Sequence, residues 1–132
     1  MICIGVKGAT GRKAALIEDA VVFAFQCLMP RVRKEVDIEV ICRRLKGAEG
    51  YELETGDREF QIDIHNKLKG DDLLTCIFHE VTHVVQDLRG TRTVEMEQLP
   101  YLERPYEIEA YGREKGLLVG FLAIWKHLED EI

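Results

Sequence analysis

Two histidines four residues apart, with a glutamate beside the first, are the most chemically specific feature of the sequence. The stretch TCIFHEVTHVVQ, residues 75–86, places His79, Glu80 and His83 in an HExxH pattern. On a helix, residues four apart differ by about 40° in direction and by one turn of rise, so both imidazoles can bind one metal ion. Zinc is the ion that this pattern favours. Glu80 points about 100° away from His79, where it can accept a proton from a water molecule beside the metal.

The residues around the histidines are mostly apolar, which favours a buried binding site over an exposed helix face. Ile77, Phe78, Val81 and Val84 surround them in the sequence, so the rings are expected to be buried. A buried imidazole needs a hydrogen-bond partner or a metal to offset its desolvation. The alternative, two polar residues on a partly exposed helix face, stays open from the sequence alone.

A third ligand is required, because a catalytic zinc ion usually has three protein ligands and one position for water. Glu107 shares a helical stripe with the apolar residues of the last helix, so it is predicted to face inward and to be that ligand. Glu109 lies about 200° further round and is expected to point away. Ala110 is small enough to let this helix approach the histidine helix. The stretch ERPYEIEAYGRE contains four glutamates that could supply the third ligand: Glu103, Glu107, Glu109 and Glu114.

The first half of the chain is predicted to form one helix and a small sheet. Helical spacing of apolar residues predicts a helix over residues 12–29, with Thr10 as its cap and Pro30 as its stop. The segments VDIEVICRRL, YELET and REFQIDIH alternate apolar and polar residues, which predicts a three-stranded meander. Residues 5–13, GVKGATGRK, match no complete phosphate-binding motif and are expected to be a flexible turn into the first helix.

Two more helices are predicted in the second half. One opens at Asp71, carries the HExxH residues and ends at Gly90. The other begins at Pro105 and runs to about His127. The predicted order is helix, sheet, helix, helix, and the predicted fold class is α+β.

Composition limits the classes of partner. The 132 residues, 46% of them hydrophobic, suit a single domain over residues 1–132. A net charge of −6 without a basic stripe disfavours nucleic acid. We expect no membrane span and no secretory signal, and therefore a cytoplasmic protein. The four cysteines show no metal or disulfide spacing and are expected to be reduced. Nothing in the sequence predicts an oligomeric state.

The combination of HEVTH with ERPYEIEAY resembles the gluzincin group of zinc metallopeptidases. Its spacing is similar to that of the smallest members, the minigluzincins, and of the ImmA and IrrE regulatory proteases. The resemblance covers about residues 71–115 and implies a zincin-like fold with His79, His83 and Glu107 as zinc ligands and Glu80 as general base. Tyr111 stands where many relatives have Asp or Asn to orient a histidine. The resemblance also implies an edge strand that binds an extended peptide, with REFQIDIH as the candidate.

These roles imply metal-assisted hydrolysis of a peptide or protein substrate. Zinc would acidify a water molecule, and Glu80 would take its proton and pass it to the leaving amine. Tyr101, Tyr106 and Tyr111 are the candidates for stabilising the oxyanion. Two alternatives stay open: a zinc-binding regulatory or interaction module without proteolytic activity, and a metal-free helical interaction domain. Cys76, one turn before His79, is more readily explained as a core residue than as a ligand. His65 and His127 are likewise more readily explained as a strand-end and a helix-end residue than as ligands.

Overall fold

The computed structural model describes the backbone of residues 2–131 and the side chains of residues 2–125. The described residues form an α+β fold of three α-helices and a four-stranded mixed sheet. Two short 3-10 helices, Val94–Gln98 and Tyr101–Glu103, connect the second helix to the third. In chain order the main elements are β1 (Ile2–Lys7), α1 (Gly11–Leu28), β2 (Val36–Arg43), β3 (Gly50–Gly56), β4 (Glu59–His65), α2 (Gly70–Arg89) and α3 (Pro105–Glu131).

One face of the sheet is apolar and supports the helices. The strand order is β1-β2-β4-β3; β1, β2 and β4 are parallel, and β3 runs antiparallel to β4. Because side chains alternate between the two faces of a strand, every second residue of the central strands points into the core. α1 and α2 cover this face, and α3 packs against α2. The buried residues of the central strands include Val36, Ile38, Val40, Phe60, Ile62 and Ile64.

The three predicted helices are confirmed. α1 begins directly after Thr10, whose side chain makes no capping hydrogen bond. α2 ends at Gly90, which adopts the left-handed conformation with a φ of 69°. α3 begins at Pro105 and continues past the predicted end near His127, whose side chain lies outside the described residues. No helix in the described part of the chain combines the length and the apolar character that a bilayer span requires. All four cysteines are free, as expected.

The predicted three-stranded meander is wrong, although its strands lie where the pattern placed them. β2 pairs in parallel with β4, and β3 occupies the edge beyond β4. REFQIDIH, expected at an edge, is therefore a central strand. Alternation reveals which side of a strand is buried, but it is the same for any pairing partner, so it does not determine strand order.

The prediction of a flexible turn over residues 5–13 is wrong in its first part. Residues 5–7 belong to β1, in which Ile2, Ile4 and Val6 face the core. Because β1 and β2 are parallel, β1, α1 and β2 form a βαβ unit that was not predicted. The chain turns at Gly8, with a φ of 80°, where a Cβ would lie 2.0 Å from the carbonyl oxygen of Cys42. Only glycine fits this turn.

Candidate metal centre

One face of α2 lines a cleft of about 650 Å³ between β3, α2 and α3. Its residues recur at helical spacing, so the cleft receives Asp72, Cys76, His79, Glu80 and His83 in order along the helix. α3 lies on the opposite side of the cleft. Ala110 is fully buried where α3 packs on α2, as its small size predicted.

His79, His83 and Glu107 converge on one point in the cleft. Glu107 Oε1 lies 3.0 Å from His79 Nε2 and 3.0 Å from His83 Nε2, and the two nitrogens are 3.2 Å apart. All three residues are buried. Glu107 comes from the first turn of α3, and α3 must cross α2 closely to bring it there. The structure thus places together the three residues that the sequence predicted as ligands.

Hydrogen bonds to Glu114 and Gln86 place a proton on Nδ1 of each ring. His79 Nδ1 donates to Glu114 Oε1 at 2.8 Å, since a carboxylate can only accept. His83 Nδ1 donates to Gln86 Oε1 at 2.7 Å, because the Gln86 amide nitrogen already donates to the carbonyl oxygen of Tyr106. In neutral rings with Nδ1 protonated, both Nε2 atoms carry lone pairs.

This donor set fits zinc. Two nitrogen lone pairs and a carboxylate oxygen that face each other repel unless a cation lies among them. Ligands about 2.0–2.1 Å from a tetrahedral zinc ion are about 3.3 Å apart, close to the separations seen here. Two histidines and one glutamate leave a fourth position free, as in catalytic sites. The contacts from Glu114 and Gln86 are of the kind that orient histidine ligands.

The electrostatics of the site favour a cation. Burial lowers the pKa of His79, but hydrogen bonds to Glu107 and Glu114 and the charge of Glu80 outweigh it and raise the pKa above its ordinary value. Burial acts to raise the pKa of Glu107, but without a metal the Nε2 atoms of His79 and His83 can be protonated and donate to its carboxylate, which brings that pKa down to about 2. Protons and a metal ion compete for the same nitrogens, so metal affinity is expected to rise with pH through the pKa of His79.

Glu80 lies beside the three converging atoms without joining them. Burial raises the pKa of the Glu80 carboxyl, against the influence of both histidines. Its Oε2 lies 3.1 Å from the position that a Cβ on Gly50 would occupy, and Cys76 Sγ lies 2.6 Å from that position. The lack of a side chain at Gly50 therefore lets the start of β3 pass close to Glu80.

The other predicted candidates are not ligands in this arrangement. Glu109 accepts a hydrogen bond from Gln86 at 2.8 Å and thus supports His83 from outside. Glu103 is exposed in a 3-10 helix. Cys76 donates to the carbonyl oxygen of Glu49, and burial raises the pKa of its thiol. His65 ends β4, where its Nδ1 accepts from the backbone of Lys67.

Two of the three candidate tyrosines line the cleft. The hydroxyls of Tyr101 and Tyr111 are 3.2 Å apart, and the Tyr111 ring packs edge-on against His79 with centroids 4.6 Å apart. Tyr106 is outside the cleft lining; its ring packs against His83 and under the guanidinium of Arg92. Tyr111 therefore contacts His79 where the resemblance implied an Asp or Asn, and Glu114 makes the hydrogen bond.

No contact with a histidine was predicted for Glu114 or Gln86, although the position of each residue on its helix indicated one. Glu114 is seven residues after Glu107, which is two turns along the same face of α3. Gln86 is three residues after His83, which is nearly one turn along α2. A polar residue at such a distance from a ligand is in reach of the ligand's second nitrogen.

Glu114→Ala is expected to weaken zinc binding by about 10- to 100-fold, because His79 would lose the acceptor that orients its ring. Glu114→Gln should lose less, since the amide oxygen can still accept from Nδ1. Competition with a zinc-sensitive chelator dye would measure both affinities. Equal zinc affinity in Glu114→Ala and the unmodified protein would show that this contact does not support the site.

No protein-family model, curated protein or solved structure matches this chain. The chemistry of the converging residues is therefore the basis for inferring function.

Proposed function

We propose that this protein is a zinc-dependent metallopeptidase with a zincin-like arrangement of its HExxH helix. The observation that supports this most is the convergence of His79, His83 and Glu107 within 3.2 Å of one another, with Glu80 next to them. Three protein ligands and a free fourth position are typical of a hydrolytic zinc centre. A structural zinc site usually closes all four positions with protein ligands.

His79, His83 and Glu107 would hold the zinc ion. A zinc ion in this position supplies a Lewis acid that acidifies water and polarises the substrate carbonyl. Glu114 and Gln86 keep the two rings in the tautomer that presents Nε2 to the metal. These two contacts also limit ring rotation, so the ligand atoms are arranged before the metal arrives.

Glu80 is the general base of this proposal. Its carboxylate accepts the proton of the attacking water and returns it to the amine as the peptide bond breaks. Burial raises the pKa of this carboxyl, which makes the carboxylate a better proton acceptor. The paired hydroxyls of Tyr101 and Tyr111 lie in the same cleft and are donors available to the developing oxyanion.

β3 offers the edge on which an extended peptide can lie. It is the edge strand of the sheet nearest the site, and Gly50, Tyr51 and Glu52 line the cleft. The backbone groups of an edge strand that face away from the sheet can pair with an added strand. A peptide paired with β3 would run past Glu80, because Gly50 lies directly beside that carboxylate.

The test is zinc content together with zinc-dependent cleavage. Protein purified without added metal should contain about one zinc ion per chain, and a chelator should lower its melting temperature. A mixed peptide library should be cleaved, and the chelator should abolish cleavage until zinc is restored. Protein that stays empty when zinc is supplied would refute the zinc site. One bound zinc without cleavage of any peptide would favour a non-proteolytic module.

A further inference from the structure

The charges around the cleft indicate which substrates it can take. Among the described side chains, six carboxyl groups line it, against a single lysine or arginine, Arg92. The charge that the cleft presents to a substrate depends on how many of these groups already have partners inside the protein. The six are Glu49, Glu52, Asp72, Glu80, Glu107 and Glu114.

The single arginine is already neutralised. Arg92 Nη1 lies 2.7 Å from Glu52 Oε1 and 3.4 Å from Asp87 Oδ2, and its guanidinium stacks 4.7 Å from the centre of the Tyr106 ring. A substrate carboxylate would have to displace one of these partners. Within the part of the chain whose side chains are described, the cleft therefore offers no free cation to an acidic peptide.

A zinc ion would not make the cleft positive either. Its two charges would be offset by the carboxylates of Glu107, Glu80 and Glu114, all within the same site. The metal centre and its surrounding carboxylates would then carry no positive excess. Neither the zinc-loaded site nor Arg92 would therefore attract a negatively charged substrate.

Two carboxylates are left free at the mouth. Among the described side chains, neither Glu49 nor Asp72 forms a salt bridge, and both are exposed. Glu49 directly precedes Gly50, and its carbonyl oxygen accepts from Cys76 Sγ, one helical turn before Glu80. One turn of helix rises about 5.4 Å, and an extended peptide advances about 3.3 Å per residue. A substrate residue opposite Glu49 is therefore within about two residues of a scissile bond positioned at Glu80.

A buried carboxyl group in the wall of the cleft, that of Glu52, also favours a cationic ligand. The Glu52 side chain is only 2% exposed, and its Oε2 is the one buried polar side-chain atom without a hydrogen-bond partner in the described part of the chain. Arg92 satisfies only the other oxygen. Burial raises the pKa of this carboxyl group to about 9. A second cation in the cleft would favour its charged form.

We propose that the cleft selects peptides with a cationic group within about two residues of the scissile bond, bound by Glu49 and Asp72. This inference rests on the proposed function for the location of that bond. The cation can be a lysine or arginine side chain or a free α-amine, since each gives the same charge. Acidic residues at that position are disfavoured by repulsion.

The test is affinity selection on the zinc-loaded Glu80→Gln protein, which should bind peptides without cutting them. The probe is a random library of short peptides, used once with free amino termini and once acetylated. Lysine and arginine should be enriched about fivefold over glutamine at one position, as expected for two exposed ion pairs, and high salt should reduce the enrichment. Enrichment only in the library with free termini would identify the α-amine as the cation.

Two matched pairs of substitutions test whether Glu49 and Asp72 cause the enrichment of lysine and arginine. Glu49→Gln with Asp72→Asn should abolish the enrichment. Glu54→Gln with Asp71→Asn should preserve it, because this pair removes the same charge from the same two regions but lies outside the cleft lining. No enrichment on folded, zinc-loaded protein, or enrichment that survives in the first pair, would overturn the inference. Enrichment lost in the first pair alone supports it, even if the unmodified protein cleaves nothing and the peptidase proposal fails.

Discussion

Glu107→Ala is expected to abolish zinc binding at the proposed site, whereas Glu109→Ala should preserve it. Glu107 Oε1 is 3.0 Å from both Nε2 atoms, so its removal leaves two nitrogens to hold the ion. The loss of a direct ligand should exceed the roughly 100-fold loss that follows removal of a group that only orients a ligand. Zinc per chain, measured by elemental analysis after dialysis, should fall from about one to near zero.

Glu109→Ala is the matched control for this experiment. It removes the same group from the same helix two residues later, where the side chain contacts Gln86 and Arg113 instead of the two histidines. Circular dichroism of both variants would show whether the helices remain. If both variants lose zinc or neither does, Glu107 is not the third ligand.

Glu80→Gln is expected to retain zinc and abolish cleavage. Glu80 is not among the converging ligand atoms, so the affinity for zinc should change little. An amide cannot accept the proton of the attacking water, and general-base catalysis contributes about 10²- to 10⁴-fold to the rate. Cleavage of a peptide from the library, followed by mass spectrometry with zinc content measured on the same sample, checks both parts.

Glu103→Gln serves as its control, because Glu103 is exposed and outside the cleft lining. This variant should cleave at the unmodified rate. Cleavage retained by pure Glu80→Gln protein would refute Glu80 as the base. Zinc lost from Glu80→Gln would instead indicate that Glu80 is a ligand.

The helices and the candidate ligands could be predicted because both depend on local spacing. The interval between His79 and His83 fixes their common direction on any α-helix, whatever the rest of the fold. The position of Glu107 on the inward stripe of α3 follows from the same periodicity. The stop of α2 at Gly90 could also be predicted, because glycine adopts the left-handed conformation at little cost.

Strand order and the contacts that Glu114 and Gln86 make with the histidines depended on the tertiary structure. β1 was not predicted, and β4 was expected at an edge, because alternation is the same whichever strand lies alongside. The partners Glu114 and Gln86 required the distance and angle between α2 and α3, which no single helix specifies. The sequence by itself determined which residues can bind a metal and toward which side of a helix each points. Only the packing of α3 on α2 decided that they meet, because convergence depends on the relative placement of two elements that are distant in the chain.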